Sequence, residues 1–300
     1  MALYAGVEAG GTKFVCGIGD DAGNLIEEVQ FPTTTPDETM PKVVAFLRKF
    51  PEIKAIGFGA FGPVCLDQSD ANYGRILKTP KLAWRYFDVL EYLKTRFPDL
   101  AIGFDTDVNA AALGEKTWGA GKGLSDLIYI TVGTGIGAGV ITNHHMLHGL
   151  THPEAGHIRV QRSEHELPDF EGICPLHKNC LEGMASGPAL NGRWNVPSCS
   201  HFAKDHIAWE VEADYLAQAV VNYILILSPQ RIIFGGGVMK QQQLFPKIHR
   251  RVQKLLNGYI SHPMIEDKID AFIVPAALGG DAGLKGAIAL ALHQHEQHIF

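Results

Sequence analysis

"VEAGGTKFVCGIGD" (7–20) and "ITVGTGIGAGVITN" (130–143) decide the fold of this chain. Each reads as strand, glycine-rich turn, strand, with apolar runs on both sides of a cluster of small residues. The two stretches lie too far apart to be units of a solenoid. A chain whose halves open with the same hairpin predicts two related domains facing a cleft.

Working outward, strands are expected at Tyr4–Glu8, Lys13–Gly19, Lys54–Phe58, Ala101–Phe104, Leu127–Val132, Gly137–Thr142, Arg231–Phe234 and Ala271–Val274. These are short apolar runs bounded by Gly, Asp or Pro. Helical patterns fall between them, at Thr39–Phe50, Val108–Thr117, Asp214–Leu227 and Asp281–His293. This alternation predicts an α/β fold. Gln161–Ser200, rich in Pro, His, Cys and Gly, reads as irregular structure.

Composition narrows the function classes. A length of 300 residues predicts one large or two mid-sized domains. With 46% hydrophobic and 19% charged residues, the chain reads as an ordinary globular protein. No apolar run is long enough to span a membrane, and MALYAGVEAGG lacks the basic start of a signal peptide. A formal net charge of −6, without a Lys/Arg stripe, argues against a nucleic-acid partner. The five cysteines are an odd number, and Cys16, Cys65 and Cys199 stand alone. That usage predicts free thiols in a reducing cytoplasm.

Several motifs carry chemistry. Gly133–Ala138 fits G-x-G-x-x-A, but "GAGVIT" continues as a strand where a dinucleotide site needs a helix. No P-loop pattern occurs. Two hairpin turns remain, with Thr12 and Thr134 at their tips. Glycine lets backbone amides approach a phosphate, and each threonine adds a hydroxyl donor; plain tight turns are the alternative. Gly235, Gly236 and Gly237 follow the strand "RIIF" and are expected to begin a helix at the nucleotide end of the cleft. A phosphate-rich ligand implies Mg²⁺, with Glu8 and Asp107 as candidates to organise it.

"FDTDVNAAALGE" (104–115) places acids at a strand-to-helix corner. Asp105 or Thr106 is the expected helix cap. Asp107, at the carboxyl end of a strand, is placed to take a proton from a substrate hydroxyl. "CPLHKNCLEG" (174–183) has the spacing of a metal grip; a disulfide and unliganded thiols are its alternatives. "HQHEQHIF" (293–300) reads as a frayed helix end, with a metal tail as the weaker reading.

The chain resembles the ROK family of sugar kinases, and within it the bacterial ATP-dependent fructokinases. The resemblance rests on "EAGGTKF", "FGP" (61–63), "TDVNAAALGE", "TVGTGIGAG", "HPEAGHI", "CPLHKNCLEGMASGPA" and "GGGVM", met in the family's order almost end to end. It implies a two-domain actin-like, ribonuclease-H-like ATPase fold. Residues 1–107, with a C-terminal helix at about 284–300, would form the smaller domain, and 108–283 the larger one with the zinc loop. It also implies phosphorylation of D-fructose at the 6-hydroxyl, giving fructose 6-phosphate and ADP. Glucokinase, or a broad hexokinase or mannokinase of the same family, is the alternative.

Roles follow from the same resemblance. Asp107 is the general base. Gly62, Thr106, Asp107, Glu154, His157 and Glu182 hold the sugar. Gly10, Gly11, Thr12, Lys13, Thr134, Gly135, Gly187, Pro188 and Gly235–Gly237 hold ATP, which brings Mg²⁺. A structural Zn²⁺ is held by His157, Cys174, His177 and Cys180. Surface acids are the bland alternative for Glu154 and Glu182. Three positions depart from the commoner family pattern: Glu8 replaces Asp, Thr106 replaces Asn and His177 replaces Cys. All three match the fructokinase subgroup. A cytoplasmic homodimer, with fructose and ATP as partners and no nucleic acid or membrane, is expected. Two rivals are a sugar-responsive repressor and a zinc-dependent interaction module. The first needs a helix-turn-helix ahead of Glu8, and the second leaves the glycine hairpins and Asp107 without a purpose.

Overall fold

The first glycine hairpin pairs β1 (Leu3–Ala9) with β2 (Lys13–Asp20) antiparallel, Val7 opposite Cys16. The second pairs β6 (Leu127–Val132) with β7 (Ile136–Thr142) in the same way, Ile130 opposite Ala138. Each hairpin is the centre of a five-stranded sheet in the computed structural model, which describes residues 2–298. In the first sheet, β3 (Leu25–Pro32), β4 (Ala55–Ala60) and β5 (Ala101–Thr106) complete the order β3-β2-β1-β4-β5. In the second, β8 (His145–Met146), β9 (Arg231–Gly235) and β10 (Ile273–Pro275) complete the order β10-β9-β6-β7-β8. Read from the hairpin outward the two orders are the same, with parallel strands added beyond β1 and β6. The internal echo in the sequence is thus an echo of topology.

Two units carry these sheets. The first runs up to Gly123, takes in Met146–Pro153 and resumes at Gly280; the second holds Leu124–His145 and Glu154–Gly279. The first unit contains α1 (Pro36–Leu47), α2 (Val89–Lys94), α3 (Asp107–Trp118) and, at its end, α10 (Ala282–His298). The second contains α4 (Leu181–Ala185), α5 (Gly187–Trp194), α6 (Ala208–Leu227), α7 (Leu244–Leu256), α8 (Pro263–Glu266) and α9 (Ile269–Phe272). The division expected after Asp107 falls instead after Gly123, because α3 packs on α10 through Ala110, Leu113, Ala289 and Leu290. Residues 1, 299 and 300 of the expected ranges lie outside the described residues.

Packing explains the glycines inside the strands of the first sheet. One face buries Val7, Phe14, Met40, Phe58 and Trp84. The other takes α10, and there the strands carry glycine. A Cβ on Gly6 would lie 2.7 Å from Ile288, one on Gly57 would lie 1.8 Å from the Ala287 carbonyl oxygen, and one on Gly103 would lie 2.7 Å from that of Leu290. Glycine within a strand marks such a close backbone approach, and here it seats a helix directly on the sheet.

Some elements differ from expectation. β3 carries Glu27, Glu28 and Gln30 on a sheet edge, so its apolar pattern is weak. The amphipathic α7, with Leu244, Ile248, Val252 and Leu256 buried at a spacing of four, also went unpredicted. The irregular reading of Gln161–Ser200 fails at α4 and α5. Ala271 lies in α9, not in a strand. No described helix is long and apolar enough to cross a membrane.

Candidate active site

The corner between β5 and α3 is built by three successive residues. Thr106 is the N-cap, its hydroxyl oxygen accepting from the Asn109 backbone N–H at 3.0 Å. Asp107 is the first residue of α3 and half-buried, with its Oδ1 accepting from the Val108 N–H at 2.9 Å. The positive end of the helix dipole favours a carboxylate there. Asp105 is 1% exposed and faces inward. Thr106 is therefore the cap, and Asp105 is a buried brace behind it. Gly62 lies on the loop after β4, one residue before Pro63 and beside the His152 ring.

The first glycine turn is closed by Gly10 N–H donating to the Lys13 carbonyl at 3.0 Å. Gly11, Thr12 and Lys13 are exposed. Thr33 braces the turn, its hydroxyl donating to the Gly10 carbonyl at 2.7 Å. Glu8, at the end of β1, reaches the start of α10, where only a glycine at 283 leaves room for its carboxylate. Burial raises the Glu8 pKa, Lys13 opposes the shift and Asp281 adds to it.

The second glycine turn is held from behind. Gly133 N–H donates to the Gly135 carbonyl at 2.9 Å, and Gly187 N–H donates to the Gly133 carbonyl at 2.8 Å. Glu182 Oε2 accepts from the Ile136 N–H at 2.9 Å. Thr134 is exposed at the tip. Gly187 and Pro188 open α5, which Ser186 caps by accepting from Ala189 N–H. Gly235 ends β9, and Gly236 has a φ of +90° that favours glycine. The expected helix after these glycines is only a 3₁₀ turn at Val238–Lys240. The chain needs several more residues to reach α7, so a helix dipole is absent at that point.

His157, Cys174, His177 and Cys180 bring one ligand atom each within 4.8 Å of one another. His157 Nδ1 lies 3.4 Å from Cys180 Sγ and 4.0 Å from Cys174 Sγ, and His177 Nδ1 lies 3.8 Å from Cys174 Sγ. Tetrahedral zinc with ordinary Zn–S and Zn–N bonds sets nitrogen and sulfur about 3.6 Å apart. All five cysteines are free, so the disulfide alternative falls. Burial pushes the Cys180 thiol up to about 11, a penalty that a bound cation reverses. The loop is tight: Cys174 and Lys178 exchange backbone hydrogen bonds, and a Cβ on Gly183 would lie 1.7 Å from the Lys178 carbonyl.

Glu154 precedes a 3₁₀ turn, Ala155–His157, and its carbonyl accepts from His157 N–H at 3.0 Å. Tyr223 of α6 supports that turn by donating to the Ala155 carbonyl at 2.7 Å. The expected residues divide between the units. Gly10–Lys13, Gly62, Thr106 and Asp107 belong to the first, and Glu154, His157, the metal cluster, Glu182 and the remaining glycines belong to the second. Sequence reasoning missed His148, whose Nε2 lies 2.8 Å from Asp105 Oδ2. No local pattern joins residues so far apart in the chain.

A sequence model of the ROK family matches residues 4–294. The chain belongs to the ROK family. A Bacillus subtilis (strain 168) protein is 47% identical over 97% of this chain and 96% of its own length. A fructokinase of Pediococcus pentosaceus is 44% identical over 96% of this chain and 97% of its own. Among solved structures, a ROK family glucokinase from Streptomyces griseus, in complex with glucose and AMPPNP, superposes with a TM-score of 0.75 at 27% identity, covering 97% of this chain and 100% of that one. The fold of this ROK protein is the actin-like ATPase fold, as its motifs implied.

Proposed function

We propose that this chain is an ATP-dependent fructokinase, transferring the γ-phosphoryl group of ATP to the 6-hydroxyl of D-fructose. One observation carries the choice of sugar: the Pediococcus fructokinase is 44% identical across nearly the whole chain, against 27% for the Streptomyces griseus glucokinase. Asp107 takes the proton of the 6-hydroxyl as that oxygen attacks in line. Its half-buried place at a helix N-terminus supports the role, since the carboxylate is kept ready to accept. Gly62, Thr106, Glu154, His157 and Glu182 orient the sugar. Thr106 spends an oxygen lone pair on its cap and keeps its hydroxyl proton for a substrate oxygen.

Gly10–Lys13 and Thr134–Gly135 bind the phosphates of ATP, with Gly187, Pro188 and Gly235–Gly237 toward its nucleoside. Mg²⁺ arriving with ATP neutralises phosphate charge, and phosphoryl transfer is otherwise positioning and electrostatics. Glu8 faces that charge through water or directly. His157, Cys174, His177 and Cys180 hold a structural zinc that stiffens the loop carrying Glu182. The free cysteines fit a reducing cytoplasm. Leu225 and Ile226, adjacent and exposed at the end of α6, offer apolar surface to a homodimer.

The test is a coupled ADP-release assay over fructose, glucose, mannose, glucosamine and N-acetylmannosamine. Fructose should give the highest kcat/KM and fructose 6-phosphate as product. A value for glucose equal to or above that for fructose would leave a sugar kinase and remove the fructokinase.

A further inference from the structure

The segment Met146–Pro153 belongs with the first unit although the chain on both sides of it belongs to the second. Two histidines tie it down. His152 Nε2 accepts from the Val64 N–H at 3.2 Å. His148 Nε2 lies 2.8 Å from Asp105 Oδ2. The other Asp105 oxygen accepts from the Thr106 backbone N–H and from the Asn109 side-chain amide, both at 2.7 Å. Those two partners make the cap of α3, because Asn109 N–H is the donor to Thr106. A carboxylate at 1% exposure must have its charge satisfied by donors. His148 supplies the donor to Oδ2, and its Nε2 also lies 3.4 Å from the Asn109 side-chain amide nitrogen.

We propose that His148 is a positioning residue for phosphoryl transfer: by holding Asp105 it fixes the corner of β5 and α3, and with it the carboxylate of Asp107. This rests on the reading of Asp107 as the base. The hydrogen bond to Asp105 raises the His148 pKa above 6.5, with burial opposing it. Tyr73, on the loop after β4, is a further titratable group acted on by Asp105, which helps to raise its pKa. At neutral pH the imidazole therefore carries more positive charge than a free one. A purely structural brace would change stability and leave turnover per folded molecule alone. A positioning residue changes turnover, because small displacements of a catalytic group are costly.

Fructose phosphorylation by the full chain is measured for His148→Ala and His148→Gln, normalised to folded protein. His148→Ala should lose about 10–100-fold in kcat, with KM for ATP little changed. His148→Gln, whose amide still offers Asp105 a donor, should recover most of that loss. Turnover of His148→Ala within about twofold of the parent, or no recovery in His148→Gln, overturns the proposal. NMR titration of the parent protein is a second measurement that needs no variant to fold. His148 should titrate above 6.5, and titration at or below that value removes the tie. A parent protein without fructose-dependent ADP release sinks the functional reading and the positioning role together, while the titration still decides whether the tie exists.

Discussion

At the scale of single residues, the corner of β5 and α3 separates three jobs that the sequence leaves mixed. Asp105, Thr106 and Asp107 are all polar and adjacent, with Asp105 or Thr106 as the expected cap and Asp107 as the expected base. Burial sorts them: Asp105 and Thr106 are 1% and 2% exposed, and Asp107 is half-buried. Asp107→Asn should therefore keep the fold, since the Thr106 cap does not involve its carboxylate. Its kcat should fall by ~10²–10⁴-fold, the usual cost of losing a general base. Circular dichroism and steady-state kinetics together check this; a folded variant with unchanged turnover removes Asp107 from the reaction.

At the scale of elements, two features hold local geometry in place. The metal cluster has two buried thiols and two half-buried imidazoles, and Cys174, His177 and Cys180 share a loop too tight for a side chain at Gly183. Purified protein should contain one zinc per chain. Cys180→Ser, or a strong chelator, should remove the zinc and lower thermal stability and activity together, because structural zinc contributes directly to folding. The loss of activity is expected because Glu182 sits two residues past Cys180 and holds the second glycine turn through Ile136. Elemental analysis of active protein that finds no zinc would end this account. The seat of α10 on the first sheet is the other feature. Gly57→Ala would drive a methyl group to 1.8 Å from the Ala287 carbonyl, against backbone that cannot rotate away. Overpacking of this kind costs about 1–3 kcal/mol or more. Urea unfolding should show the shift, and a midpoint equal to the parent's would show that the helix moves freely.

For the whole molecule, stability depends on a buried acid outside the proposed site. Glu212 lies in α6 at 0% exposure, and neither carboxylate oxygen has a hydrogen-bond partner. Burial raises its pKa well above 4.5, with Arg193 opposing. The folded chain keeps a proton that the unfolded chain releases above about pH 4.5. This group's contribution is fully present below that pH and lost as pH rises through the raised folded value. Glu212→Gln is neutral at every pH and should escape the loss. Relative to the parent, its Tm should climb over the interval above about pH 4.5, where the unfolded chain releases the proton. A Tm difference that stays flat across that interval would show that Glu212 is not held protonated.

The sequence by itself determined the two hairpins, the α/β alternation around them, and the family, because these are written in local periodicity and in contiguous motifs. It also placed three of the four metal-cluster residues within one short loop. What it could not show was which partners meet across long stretches of chain. Gly57 and Gly103 are only glycines in strands until α10, arriving from the far end of the chain, lies on them. His148 and Asp105 meet only when Met146–Pro153 returns to the first unit. β3 is legible only once β2 offers it an edge, since its exposed acids break the apolar alternation. Local signals come from backbone preference and side-chain period, which neighbours in sequence share. Burial, and with it the pKa of Glu212 or the role of Asp105, is set by atoms that only the folded chain brings near.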